Sequence, residues 1–126
     1  MGVAALLAVG CDMFNQASPV TKKERVQDFM SDLEAEHYDN LADHLHPSYP
    51  NRSQLDDPTV WTQTFGTGND FPYSDLTESG DQVTILVNST SSEYDGTWSF
   101  DMKEGDPDVW YINGIHNTTK GTDYVQ

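Results

Sequence analysis

From residue 94 to residue 103 the chain alternates without a break. Tyr94, Gly96, Trp98, Phe100 and Met102 fall on one side of the alternation, and Asp95, Thr97, Ser99, Asp101 and Lys103 on the other. Successive side chains of a β-strand point to opposite faces, so this stretch reads as a strand with one dry face and one wet face. An antiparallel sheet can leave its wet face in water, but its dry face has to be covered by another layer. The rest of the chain must therefore supply neighbouring strands and an apolar lid.

The strands are legible on both sides. Val83, Ile85 and Val87 alternate with Thr84, Leu86 and Asn88, which predicts a second strand, and residues 71–77 predict a third. Ser79-Gly80-Asp81 marks the turn between these two, and Glu104-Gly105-Asp106-Pro107-Asp108 marks the turn to a last strand at residues 109–116. That last strand is apolar on both faces, so it is expected in the centre of the sheet. Residues 118–126 carry no pattern and read as a loose tail.

The lid comes from the first half of the chain. Thr21-Lys22-Lys23-Glu24 has the spacing of a capping box, and Val26, Phe29, Met30, Leu33 and His37 follow at helical intervals. Asp39 or Asn40 would cap a second short helix carrying Leu41, Ala42 and Leu45, which His46-Pro47 ends; one continuous helix over residues 21–45 is the competing reading. Asp57-Pro58 opens another short helix through Trp61 and Phe65, with proline at its first position, and residues 66–70 break it. Helices first and an antiparallel sheet after them give an α+β domain over residues 21–117. Its N-terminal helices pack on one face of a sheet of about four strands.

Charge narrows the partners. The 126 residues carry a net charge of −15, from 21 acidic and 6 basic side chains. Lys22, Lys23 and Arg25 make the one basic cluster. Such a surface repels phosphate backbones, which argues against nucleic acid as a partner. Away from the basic cluster it also repels anionic membrane surfaces. A surface this acidic fits a high-salt habitat and an ordinary acidic secreted domain equally well. Three Trp, six Tyr and five Phe set the chain apart from disordered sequences, which lack large apolar groups to bury.

A single cysteine, Cys11, leaves no intrachain disulfide. Residues 3–9 before it are uninterruptedly apolar. They are too short for a bilayer, which needs about 20 residues, and have the length of a signal-peptide core. Leu7-Ala8-Val9-Gly10-Cys11 resembles the lipobox of prokaryotic lipoproteins, where small residues precede a cysteine that is lipidated before the leader is cut. Ala8 stands where that motif usually has leucine, and no Lys or Arg precedes the apolar run. The resemblance implies a signal peptide at residues 1–10, a lipid on Cys11 as membrane anchor, and a polar tether over residues 11–20. It also implies a place in the cell envelope, on the periplasmic or cell-surface face of a membrane. Each buried methylene of such a lipid contributes about 0.8 kcal/mol, so two or more chains hold stably.

The element order, with two local stretches, resembles the nuclear transport factor 2-like superfamily, which includes ketosteroid-isomerase-like and SnoaL-like proteins. Leu41-Ala42-Asp43-His44-Leu45-His46-Pro47-Ser48-Tyr49 is similar to the end of that family's early helices, and Val109-Trp110-Tyr111-Ile112-Asn113-Gly114-Ile115 to its closing strand. The resemblance implies a curved sheet wrapped round the helices as a cone with an open mouth. In such a cone Tyr38, Trp61, Tyr73, Tyr94 and Trp110 are candidates to line a pocket for a small apolar ligand, and each is equally explained as core. Some family enzymes use an Asp or a His–Asp pair as general base. Asp43 and His44 could supply one here, with Tyr38 or Tyr73 as proton donor. No family catalytic residue matches position by position, so no catalytic residue is assigned.

Two further groups invite chemistry and are read more plainly. His37, His44 and His46 are close in sequence, but 44 and 46 point to different sides of a helix and no further ligand accompanies them. No metal or other cofactor is assigned. The carboxylates of residues 101–108 lack EF-hand spacing and read as a solvated turn. Asn51, Asn88 and Asn117 open glycosylation sequons. The expectation is a lipid-anchored envelope protein that binds a small ligand or another envelope protein, with an isomerase- or dehydratase-like enzyme as the alternative.

Overall fold

A computed structural model describes residues 19–125; Cys11 and the stretch read as signal peptide and tether up to residue 18 lie outside them. The first helix, α1 (Lys22–Glu34), begins as the capping box requires. The Thr21 hydroxyl accepts from the Glu24 amide at 3.1 Å, and the Glu24 carboxylate accepts from the Thr21 amide at 2.9 Å. Val26, Phe29, Met30 and Leu33 form its buried stripe. Glu36, at φ 59°, turns the chain into the left-handed region and separates α1 from the next helix.

The second short helix is a 3-10 helix, Tyr38–His44, and its N-cap residue is His37, which makes no side-chain cap. The expected Asp39 or Asn40 cap is therefore not used. A 3-10 helix repeats every three residues, which places Tyr38, Leu41 and His44 in a line toward the core. A 3-10 turn over Gln54–Asp56 leads to α2 (Pro58–Phe65), where the Asp57 carboxylate accepts from the Thr59 amide at 2.9 Å. Gly66, at φ 69°, ends α2. Among the described residues no helix is long and apolar enough to cross a membrane.

Five strands come after α2 as a plain meander, β1 (Tyr73–Ser79), β2 (Gln82–Val87), β3 (Gly96–Glu104), β4 (Trp110–Asn117) and β5 (Thr122–Asp123), lying side by side in chain order. The register puts Ile85 and Asn117 beside Trp98, Val83 and Ile115 beside Phe100, and Ile112 beside Met102. The row Thr84–Ser99–His116 lies on the other face. The register shifts between Ser74 and Thr77 and between Asp101 and Met102, and such bulges bend and twist a sheet. The bent sheet packs on α1 through β1, β2 and β4, and Phe65 of α2 reaches Trp98 on β3.

Two expectations about the sheet are corrected. It has five strands rather than about four, and the central one is β3, not the strand at 109–116. The apolar character of β4 has another cause: its outer rim is covered piece by piece. Val20 bonds to Asp108 and Trp110 at 2.9 and 3.0 Å, the His46 amide donates to the Ile112 carbonyl at 2.8 Å, and β5 pairs with His116 and Asn117. The tail after Asn117 is not loose. Asn117 accepts from the amides of Lys120 and Gly121 and folds the chain back, so that Tyr124 and Val125 are 5% and 9% exposed. A two-residue strand has too little pattern to be seen in the sequence.

The core between sheet and helices is largely aromatic. Phe65 stacks between Trp61 and Trp98 at centroid distances of 6.2 and 5.9 Å, with Phe71 and Tyr124 against it at 5.7 and 5.3 Å. Phe29 meets Trp61 and Phe100 edge-on.

Candidate functional site

The five aromatic residues expected to line a pocket divide into two groups. Tyr38, Trp61 and Tyr94 are buried, and each places its polar atom on a backbone carbonyl. The Tyr38 hydroxyl donates to Gly66 at 2.6 Å, the Trp61 indole N–H to Leu55 at 2.7 Å, and the Tyr94 hydroxyl to Thr64 at 2.8 Å. Burial, with the Glu36 charge adding to it, pushes the Tyr38 hydroxyl up to about 12. These rings belong to the core between sheet and helices.

Tyr73 and Trp110 are half-buried, and each borders a surface groove. Tyr73 lies with Gln27, Met30, Glu34, Phe71 and Pro72 along a groove of about 500 Å³ between α1 and the start of β1. Its floor is apolar, and the Glu34 carboxylate on its wall accepts from the Phe71 amide at 2.6 Å. Trp110 borders a groove of about 360 Å³ with Val20, Lys22, Glu78 and Asp108. The Lys22 ammonium sits 4.4 Å from the Trp110 ring centroid and pairs with Glu78 and Asp81 at 3.6 and 3.3 Å.

Asp43 and His44 do not pair. The charge of Asp43 acts on Arg25, and His44 turns instead to Asp32 on α1, with Nε2 at 2.7 Å from the carboxylate. On its other side Nδ1 accepts from the Arg25 guanidinium at 3.2 Å. Arg25 has no lone pair to offer, so in this contact Nδ1 is the acceptor, and Nε2 is the nitrogen left to face Asp32. Burial draws Arg25 below its ordinary value, with Tyr111, Asp28 and Asp43 acting in the opposite sense. Arg25 also donates to the Trp110 carbonyl at 2.8 Å and lies 4.6 Å over the Tyr111 ring. Both His44 nitrogens are thus engaged, and neither groove includes the residue. His37 reaches the other oxygen of Asp32 at 3.4 Å, while His46 accepts from the Ser48 amide at 3.0 Å.

A second histidine, not singled out by the sequence, has the most elaborate setting. His116 on β4 places Nε2 at 2.8 Å from the Asp101 carboxylate on β3 and Nδ1 at 2.6 Å from the Asp123 carboxylate on β5. Gln82 on β2 donates to the other oxygen of Asp101 at 2.9 Å. Burial works against the charge on His116, but its hydrogen bonds to Asp123 and Asp101 and the charges of those carboxylates outweigh it and raise its pKa. For Asp101 the burial effect, an upward one, is likewise outweighed by Gln82 and His116, and its pKa falls. The acidic stretch expected to be a solvated turn begins with this residue, and its Glu104 carboxylate accepts from the Asp108 amide at 2.7 Å. Of the sequon residues, Asn51 and Asn88 are exposed. Asn117 is fully buried and its amide donates to the Tyr124 hydroxyl at 3.1 Å, so the folded domain offers no acceptor there. Strand register and tail docking create these contacts, and no local sequence signal announces them.

No family model and no curated protein matches the sequence. Among solved structures, the fold is similar to the NTF2-like protein of unknown function from Cytophaga hutchinsonii ATCC 33406. The TM-score is 0.53 at 11% identity, over 80% of this chain and 91% of that one. The likeness supports the nuclear transport factor 2-like fold, a curved antiparallel sheet wrapped on helices, and goes no further than the fold.

Proposed function

We propose that the protein is a non-catalytic binding module, held on the extracytoplasmic side of a membrane by a lipid on Cys11, whose partner is another envelope protein. The carrying observation is the packing of the cone. Among the described residues, Phe65, Trp61, Trp98 and Tyr124 pack ring against ring between sheet and helices, so a ligand seated where they lie has to displace them. The outside offers a surface for recognition: the groove beside Tyr73 has an apolar floor with a polar rim, as protein contact sites do. An isomerase- or dehydratase-like enzyme is the alternative. The Asp32–His44 pair favours it, but both ring nitrogens already have partners and a general base needs one free for the substrate proton.

The test has two arms. The native protein is expected in the membrane fraction and the Cys11→Ser variant in the soluble fraction; a membrane-bound serine variant overturns the anchor. The folded domain at pH 6 is expected to leave an aromatic or steroid-like probe unbound in a Trp-fluorescence titration. Saturable binding that shifts the emission of buried Trp61 and Trp98 would restore the ligand-filled cone.

A further inference from the structure

We propose that the Asp101–His116–Asp123 bridge is a proton-operated latch on the C-terminal strand: protonated His116 keeps β5 closed and Tyr124 seated in the end of the aromatic core, and loss of that proton lets the strand open. The latch does not depend on what the protein binds.

The donor count decides which form of His116 closes it. A neutral imidazole has one N–H and one lone pair, whereas an imidazolium has two N–H groups. His116 has a carboxylate oxygen at 2.8 Å from one nitrogen and another at 2.6 Å from the other. Only the imidazolium satisfies both. Once it is deprotonated, one carboxylate faces a lone pair, and that contact becomes repulsive.

The contact that yields is the one whose carboxylate is held by less. Asp101 sits in the nine-residue strand β3 and takes a second hydrogen bond from Gln82 at 2.9 Å. The Asp101–His116 contact also occupies a notch in the sheet. A Cβ on Gly114 would stand 2.7 Å from Asp101 Oδ2 and 3.0 Å from His116 Nε2, so the absence of a side chain there is what lets the two meet. Asp123 lies on the two-residue strand β5, and its side chain is more exposed than that of Asp101. The Asp123 side is therefore the one that lets go.

The other groups facing the bridge do not compete for the switch. Tyr49, in the loop after the first 3-10 helix, lies near both carboxylates. Burial first, and the charges of Asp101 and Asp123 after it, push it up to about 12, so it stays neutral from pH 5 to 9. Asp101 is lowered and stays ionised. That leaves His116 as the group that changes charge in this window. Its folded pKa is raised, so the latch is fully closed below the ordinary histidine value of 6.5 and opens as pH climbs through the folded value.

The opening is local. Tyr124 keeps its amide bond to the Ile115 carbonyl at 2.9 Å and its hydroxyl bond from Asn117 at 3.1 Å, so the strand opens more often without leaving. The reporter is built in, because the Tyr124 ring lies 5.0 Å from Trp98.

Amide hydrogen exchange of residues 121–125, corrected for the intrinsic pH dependence of exchange, reads the latch, with β2 as an internal control. The His116 ring signals, followed by NMR, give its midpoint. Protection of residues 121–125 is expected to fall about five- to tenfold as pH rises through that midpoint, while β2 holds. Asp123→Asn removes one of the two charges that favour the imidazolium, and is expected to move both the midpoint and the protection step to lower pH. His116→Gln is expected to show low, pH-independent protection. Protection that ignores the His116 midpoint in the native chain, or a step that survives in His116→Gln at the same pH, overturns the proposal. Should the glutamine variant not fold, the Asp123→Asn shift decides alone, since a step left in place by that substitution is equally fatal.

Discussion

Tyr38, Trp61, Tyr94 and Trp98 each carry one polar atom into the core and each finds a backbone carbonyl for it, Trp98 using that of Tyr94 at 2.8 Å. This satisfies the rule that a buried donor without a partner costs free energy. It also ties the rings to the loops that bring them together: Leu55 lies in the turn before α2, Gly66 just beyond its end, and Thr64 in its last turn. Tyr94→Phe keeps the ring and releases the Thr64 carbonyl, so chemical denaturation is expected to show a loss of about 1 kcal/mol. Trp61→Ala opens a hole beneath Phe29 and Phe65, and a loss of roughly 3–5 kcal/mol is expected, enough to leave a small domain partly unfolded at room temperature.

At the level of elements, local sequence rules explain most of what formed. The capping box at Thr21, proline at the first position of α2, and the alternation through Trp98 and Phe100 each act within a few residues, and each can be read in one dimension. Thr21→Ala removes the hydroxyl that accepts from Glu24 and is expected to lower stability by about 1 kcal/mol, with the loss read as earlier fraying of α1 in amide exchange. What the sequence hides is whatever rests on contacts that leave no periodic pattern. β5 exists because Asn117 bends the chain back and His116 faces Asp123. Asp32 looks like any polar position on the outer face of α1 until the 3-10 helix delivers His44 to it. The five candidate pocket residues share only their aromatic character. That alone cannot separate Tyr38, Trp61 and Tyr94, which close the interior, from Tyr73 and Trp110, which reach the surface.

For the whole molecule, three titrations bracket stability, two carboxylates on the acid side and one histidine on the alkaline side. Asp70, through the Thr90 amide and hydroxyl, and Asp101, once Gln82 and His116 outweigh its burial, have lowered folded pKa values. Their contribution is present above the ordinary carboxylate value and is lost as pH falls through the folded one. His116 has a raised value, so its contribution is full below 6.5 and is lost as pH rises through the folded value. Denaturant midpoints measured against pH are therefore expected to peak between about 4 and 6.5, and a peak near pH 8 would contradict the His116 geometry. The net charge of −15 adds self-repulsion that salt screens, so the thermal midpoint is expected to rise between low salt and about 1 M sodium chloride. The patching of the β4 rim has a mechanical side as well. Val20 is the first described residue with a backbone partner on the sheet, through Asp108 and Trp110. A load applied at the amino end therefore reaches β4 through this pair of bonds. The pair stands ahead of the capped start of α1, so it is the first backbone pairing among the described residues that such a load meets.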